Sequence, residues 1–196
     1  MLSIFIHGAT ASGASFNYLR SDLDGEHLVL EYDSEDGFFQ NLDRLSEEIK
    51  ATRSRQLFFV GHSLGGIYSL SLADRFPKQT RGGVTISTPY GGSEIAPFLK
   101  YFVPFNRLLK EIGPNSKPIQ HVKNITPGVP WSNIVTVKGN SPWIATANDG
   151  VVTVDSQRHH SAIDYIEMPS NHYEILMSPE VVRLVRDKRD QAFLKK

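Results

Sequence analysis

No cysteine occurs anywhere in the 196 residues. Disulfides and thiolate metal sites are therefore excluded, and no redox compartment is imposed. Neither sign of charge is in excess, because 21 basic and 21 acidic side chains cancel. Nothing in that balance suggests electrostatic capture of nucleic acid or of an anionic membrane. No apolar run reaches the roughly 20 residues that a membrane-crossing helix needs. Internal repeats, low-complexity tracts and interdomain linkers are also missing. No basic n-region or long apolar h-region precedes the strand-like opening segment, so a cytoplasmic protein without a secretory leader is the expectation. What is present is ordinary for a globular chain: 40% hydrophobic and 21% charged residues. The length suits one domain, 1–196, with a sizeable core.

The informative stretch is Gly61-His62-Ser63-Leu64-Gly65-Gly66. It follows the apolar run Leu57-Phe58-Phe59-Val60 and precedes a predicted helix, Ile67 to Phe76, closed by Pro77. Strand, G-x-S-x-G and helix together define a nucleophile elbow. Gly61 and Gly65 let neighbouring backbones approach closely. Ser63 is left at the tip of the turn. The Leu64 N–H falls at a helix N-terminus, where free donors and the dipole favour developing negative charge.

The rest of the chain alternates strand and helix. Strands are expected at Leu2 to Ile6, His27 to Glu31, Gln56 to Val60, Gly83 to Ser87, Asn133 to Lys138 and Ile163 to Met168. Phe38, Leu42, Leu45 and Ile49 recur at helical spacing, so 38–54 reads as an amphipathic helix. A short helix around Phe16 to Leu23 and a final one from Pro179 to Asp187 complete the pattern. This alternation predicts a three-layer α/β fold: a mostly parallel sheet of about six strands with helices on both faces. Right-handed crossovers place the loops after the strands on one edge, where such sheets bind ligands.

A serine hydroxyl needs a base within hydrogen-bond reach, and the base needs a group that fixes its tautomer. Histidine is the natural base near neutral pH. Among His7, His27, His62, His121, His159, His160 and His172, the last follows the sixth strand and precedes the final helix. In this arrangement the partners follow in the order serine, acid, histidine, which selects His172. His159 and His160 precede the last strand and are the fallback. By the same order the acid follows the fifth strand, and Asp149 in Asn148-Asp149-Gly150 occupies that place. Its alternative role is a simple turn residue; Asp155, Asp164 and Glu94 are the other carboxylates considered. Two backbone donors are needed for an oxyanion. Leu64 supplies one, and Ala9, with Thr10 as alternative, supplies the other from the loop after the first strand. His7 is read as a residue that holds this loop, and the His62 side chain is expected to point away from that of Ser63.

With these residues in place the chain resembles the α/β-hydrolase superfamily, in particular small bacterial lipases and carboxylesterases. The early His7-Gly8 loop, the serine elbow, Ser87-Thr88-Pro89-Tyr90-Gly91-Gly92-Ser93, Asp149-Gly150-Val151-Val152 and the late histidine stand in the same order. The run His7 to Tyr18 is similar to the corresponding loop of minimal lidless lipases, and the Thr-Pro-Tyr-Gly-Gly-Ser stretch to a Thr-Pro-His-x-Gly-Ser segment of triacylglycerol lipases. The resemblance implies Ser63 as nucleophile, Asp149 as acid, His172 as base, and Ala9 with Leu64 as oxyanion donors. It implies hydrolysis of a small-molecule or lipid carboxylic ester through an acyl-enzyme, with no metal and no organic cofactor. Three features depart from the family: the absent leader, the lack of a Gly-Gly-Gly run in the first loop, and a long greasy insertion. That insertion, 94–130, is a candidate cap or lid, and 94–112 a candidate for transient lipid contact; packing on the sheet or an oligomer contact is the competing reading. The alternatives for function are a thioesterase or acyltransferase with the same three residues, or an inactive hydrolase-fold binding scaffold.

Overall fold

The computed structural model describes residues 2–93, 108, 111–141 and 144–194. Part of the proposed cap, 94–107 with 109 and 110, lies outside them. Six strands form one sheet: β1 (Leu2–Ile6), β2 (Glu26–Leu30), β3 (Leu57–His62), β4 (Thr80–Ile86), β5 (Trp131–Thr136) and β6 (Asp164–Met168). Their order is β2-β1-β3-β4-β5-β6, and every pairing is parallel. Between them run α1 (Asn17–Ser21), α2 (Phe38–Ala51), α3 (Leu64–Arg75), α4 (Lys117–Lys123) and α5 (Val154–Gln157), and α6 (Pro179–Leu194) follows β6.

Strand periodicity sorts the core into two layers. Ile4 and Ile6 of β1 and Phe59 of β3 face Leu42, Leu45, Ile67 and Ile119, from α2, α3 and α4. Phe5, Phe58 and Val60 face the other way, onto Leu19, Val181, Val182 and Val185, from α1 and α6. Successive side chains of a strand point to opposite faces, so β1 and β3, buried on both, read as nearly continuous apolar runs, interrupted by Ser3 in β1 and ending at Val60 in β3. Burying one such Phe, Leu or Ile side chain contributes about 1.5–3 kcal/mol. The three-layer arrangement expected from the alternation is thus the one found.

Element boundaries differ from the sequence expectation for local reasons. α3 begins at Leu64, directly behind the elbow, rather than at Ile67. Residues 64–73 are buried throughout, and Ser69 and Ser71 return their hydroxyls to the Gly65 and Ile67 carbonyls at 2.8 and 2.9 Å. These i−4 bonds let two polar residues sit in a buried helix. α4 forms in a stretch that reads as irregular because of its prolines. Pro118 stands at the start of that helix, where its missing N–H costs nothing. Ile112, Ile119, Val122 and Ile125 from this region are buried in the same core as the sheet. No helix among the described residues is long and apolar enough to cross a membrane.

Candidate active site

Parallel register carries the ends of β1, β3, β5 and β6 to one edge of the sheet. Gly61 of β3 stands beside Ile6 of β1, and His62 beside Ile86 of β4. At that edge the chain goes from β3 to α3 through one residue. Ser63 has φ 52° and ψ −123°, a positive φ unusual for a residue with a Cβ. Such a conformation costs of order 1–3 kcal/mol and persists only where neighbours enforce it. Here the Ser63 N–H donates to the Ile86 carbonyl at 2.8 Å, and its carbonyl accepts the Gly66 N–H at 2.9 Å. Gly65 makes the fit possible, because a Cβ there would lie 1.9 Å from the Ile6 carbonyl oxygen and 2.4 Å from that of His7.

The loop after β1 abuts this turn. A Cβ on Gly8 would lie 2.9 Å from His62 Nδ1 and 3.1 Å from Ser63 Cβ. His7 holds the loop. Its Nδ1 is 2.8 Å from the Gly8 carbonyl oxygen, and its ring stacks on Tyr32 with centroids 4.4 Å apart. Glu31 Oε2 lies 2.8 Å from Nε2, a close contact that is not an aligned hydrogen bond. The other Glu31 oxygen accepts the Gly13 N–H at 2.7 Å, fastening the far end of the loop. Among the described residues neither the Ala9 nor the Leu64 N–H has an acceptor. Leu64 is the first residue of α3, where no intrahelical partner exists.

Asp149 and His172, 23 residues apart, meet. His172 Nδ1 is 2.7 Å from Asp149 Oδ2, and the His172 N–H donates to the Asp149 carbonyl at 3.0 Å. A carboxylate only accepts, so Nδ1 carries the proton and Nε2 is left as a base. Both side chains are buried. Asn148 accepts the Gly150 N–H at 2.8 Å, so the turn chemistry read at Asn148-Asp149-Gly150 coexists with the carboxylate's inward role. Asn171 accepts the Tyr173 and Glu174 N–H groups and fixes the segment after His172. Burial alone would raise the Asp149 carboxyl. The hydrogen bond and charge of His172, then Thr136 and the Val152 N–H, outweigh it and hold the group below its ordinary value.

His62 is also buried, and its Nε2 donates to the His172 carbonyl oxygen at 2.8 Å. Burial is the main reason its pKa is pushed down to about 3, with the neighbouring His172 second. The residue before the serine therefore stays neutral and ties the elbow to the histidine loop. Among the described residues Ser63 Oγ makes no hydrogen bond, to His172 Nε2 or to any other group. Such bonds are often long without substrate.

The fallback groups lie elsewhere. His160 is buried, with Nε2 3.0 Å from the Val122 carbonyl oxygen, and braces α4. His159, Asp155 and Asp164 are exposed, and Glu94 lies outside the described residues. Two contributors, Thr136 and Gln157, have no role in the sequence reading, and Ser87 appears there only as a residue that follows a strand. Thr136 Oγ1 donates to Asp149 Oδ2 at 2.6 Å, Gln157 Nε2 donates to the same oxygen at 3.2 Å, and Ser87 Oγ is 2.7 Å from Thr136 Oγ1. Thr136 closes β5, and the Thr153 cap on Ser156 marks the turn that carries Gln157. Those local signals exist, but nothing local shows that either side chain reaches Asp149.

No protein-family model matches the sequence, and neither does any curated protein. Solved structures do match. A lipase of Bacillus licheniformis in its mature form aligns at TM-score 0.70 and 17% identity, over 94% of this chain and 91% of that one. An alpha/beta superfamily hydrolase of Oenococcus oeni aligns at 0.67 and 15%, over 98% and 93%. A thioesterase domain from the curacin biosynthetic pathway aligns at 0.60 and 13%, over 94% and 90%. At these identities the shared property is the fold.

Proposed function

We propose that this chain, which has the α/β-hydrolase fold of those neighbours, is a serine hydrolase cleaving carboxylic esters. The observation that carries the reading is the buried Asp149–His172 couple, 2.7 Å across, bound through His62 to the elbow that presents Ser63. Ser63 Oγ attacks the acyl carbon while His172 Nε2 takes its proton. The resulting oxyanion is held by the Ala9 and Leu64 N–H groups, which no protein acceptor occupies among the described residues. One such donor is worth about 10²–10³ in rate. His172 then protonates the leaving alcohol, and the acyl group stays on Ser63. Water, deprotonated by the same Nε2, attacks the acyl-enzyme, releases the acid and restores the serine. Asp149 keeps the imidazole in the right tautomer and stabilises it when charged.

The test is hydrolysis of p-nitrophenyl esters from acetate to palmitate by the wild type and by Ser63→Ala. The expected result is turnover that disappears in the variant, with a chain-length optimum separating short-chain esterase from lipase. Wild-type inactivity across the series, or full activity in Ser63→Ala, refutes the assignment on oxygen esters. The likeness to a thioesterase domain favours one second reading, transfer from a thioester by the same groups. Competition between an oxygen ester and its matched thioester decides between them.

A further inference from the structure

We infer that Gln157 and Thr136 are positioning residues that hold Asp149 ionised and immobile behind His172; this rests on the serine-hydrolase reading. The Gln157 carboxamide is fully buried and pairs with the peptide of the last β5 residue. Its Oε1 accepts the Thr136 N–H at 2.9 Å, and its Nε2 donates to the Thr136 carbonyl at 3.1 Å. These two bonds decide which end of the amide is which. Turning it over would set NH₂ against N–H and oxygen against both the Thr136 carbonyl and the Asp149 carboxylate. The remaining N–H is therefore committed to Asp149 Oδ2, at 3.2 Å.

The hydroxyl of Thr136 is committed in the same way. It has one proton, and Oδ2, 2.6 Å away, can only accept. Ser87 Oγ, 2.7 Å from Thr136 Oγ1, must then be the donor in that pair. Oδ2 thus receives His172, Thr136 and Gln157, while Oδ1 receives the Val151 and Val152 N–H groups at 3.0 and 2.8 Å. An ionised carboxylate offers about four lone-pair sites, so these donors saturate it. A proton cannot settle on Asp149 without displacing one of them, and the carboxylate cannot rotate away from His172. If Gln157 only packed α5 onto β5, its two bonds to the Thr136 peptide would suffice. The third bond is the one that bears on Asp149.

The full chain carrying Thr136→Val, Thr136→Ser, Gln157→Met or Gln157→Glu tests this. Readouts are kcat and KM, the pH profile of kcat/KM, and the far-downfield Nδ1 proton resonance of His172. Loss of one charge-assisted donor should lower kcat about tenfold in Thr136→Val, with KM little changed. Thr136→Ser should restore it. With fewer donors dispersing its charge, Asp149 grips the imidazolium harder, so the acid limb of the profile should move to higher pH in Thr136→Val and Gln157→Met. Gln157→Glu, which sets a carboxyl group beside Asp149, should displace the downfield resonance. Unchanged pH profiles and an unmoved resonance would overturn the inference, even in destabilised variants. Should Gln157→Met fail to fold, the near-isosteric Thr136→Val decides alone. Should the wild type hydrolyse no ester and take up no fluorophosphonate, the parent reading fails. The resonance still reads the coupling in that event: displaced in the variants it sustains the inference, unmoved it overturns it.

Discussion

Asp149→Asn removes a charge and one acceptor while leaving the shape of the side chain almost intact. Its cost follows from the five donors around the carboxylate. If the new NH₂ faced Val151 and Val152, it would oppose two backbone N–H groups that cannot change roles. It must therefore take the Oδ2 side, opposite His172, Thr136 and Gln157. Thr136 can turn its hydroxyl. His172 can accept only by moving its proton to Nε2, where it can no longer receive one from Ser63. Gln157 cannot adapt, because both ends of its amide are bound to the Thr136 peptide. One unsatisfied donor costs about 1–3 kcal/mol. In a chain of this size that corresponds to roughly 2–4 °C of Tm per kcal/mol. The enforced wrong tautomer should cost far more in rate, about 10⁴ in kcat. Ester hydrolysis beside a circular-dichroism melt measures both. A variant that stays folded and keeps kcat within about tenfold of wild type would refute the argument, since a fixed wrong tautomer cannot leave the rate so near its original value.

Other expectations follow from the close contacts and the buried histidine. Gly65→Ala sets a methyl group 1.9 Å from the Ile6 carbonyl oxygen, and its nearest neighbours are all backbone atoms of Ile6 and His7. It should destabilise by about 1–3 kcal/mol or more and abolish activity, measured by urea titration and ester hydrolysis. Gly25→Ala is the control: φ is 101° but nothing lies within 4 Å of the added carbon, so a cost of about 1 kcal/mol and normal activity are expected. His62 is held at a pKa of about 3 against 6.5 for an ordinary histidine. Between those values the unfolded chain takes a proton that the folded protein refuses. Stability should thus be unaffected by this group above pH 6.5 and fall below it, by about 1.4 kcal/mol per pH unit. His62→Gln should flatten that slope in denaturation curves recorded from pH 7 to 4. Asp149 acts lower on the scale: its contribution is present above the ordinary carboxylate value and is lost as pH falls through its depressed one.

The sequence was legible where chemistry is local or where chain order constrains it. Apolar residues located all six strands to within a few residues; in β1, β3 and β5, buried along their whole length, little polar alternation is left to misread, whereas β2 and β6 are partly exposed. G-x-S-x-G announced its own backbone conformation, and Ser63 has the positive φ such a turn requires. Chain order selected Asp149 and His172 from several carboxylates and seven histidines, and the fold brings those two into contact. Helix ends were less readable. α6 runs on to Leu194, beyond the valines that signalled it, because its later turns are mostly polar. α4 was hidden by prolines whose role depends on position in the helix. Thr136 and Gln157 could not be found, and Ser87 was visible only as a residue after a strand, since their contacts arise only when β4, β5 and α5 converge. The length and greasiness of 94–130 raise the question of a lid, and the aromatic stretch that prompts it, 98–105, lies outside the described residues.

Among the described residues β6 is an edge strand, paired with β5 alone. Its far end leads into the loop bearing His172, whereas Ser63 leaves a central strand with neighbours on both sides. The two halves of the proposed proton transfer therefore sit on parts of the ladder with unequal resistance to opening. Edge strands and the loops beyond them belong to the least protected cooperative units of a domain. Partial fraying of β6 would withdraw the base while the elbow and most of the sheet stayed intact. The proposed turnover should therefore report incipient unfolding more sensitively than secondary structure does, with amide exchange along 164–172 as its closest physical correlate.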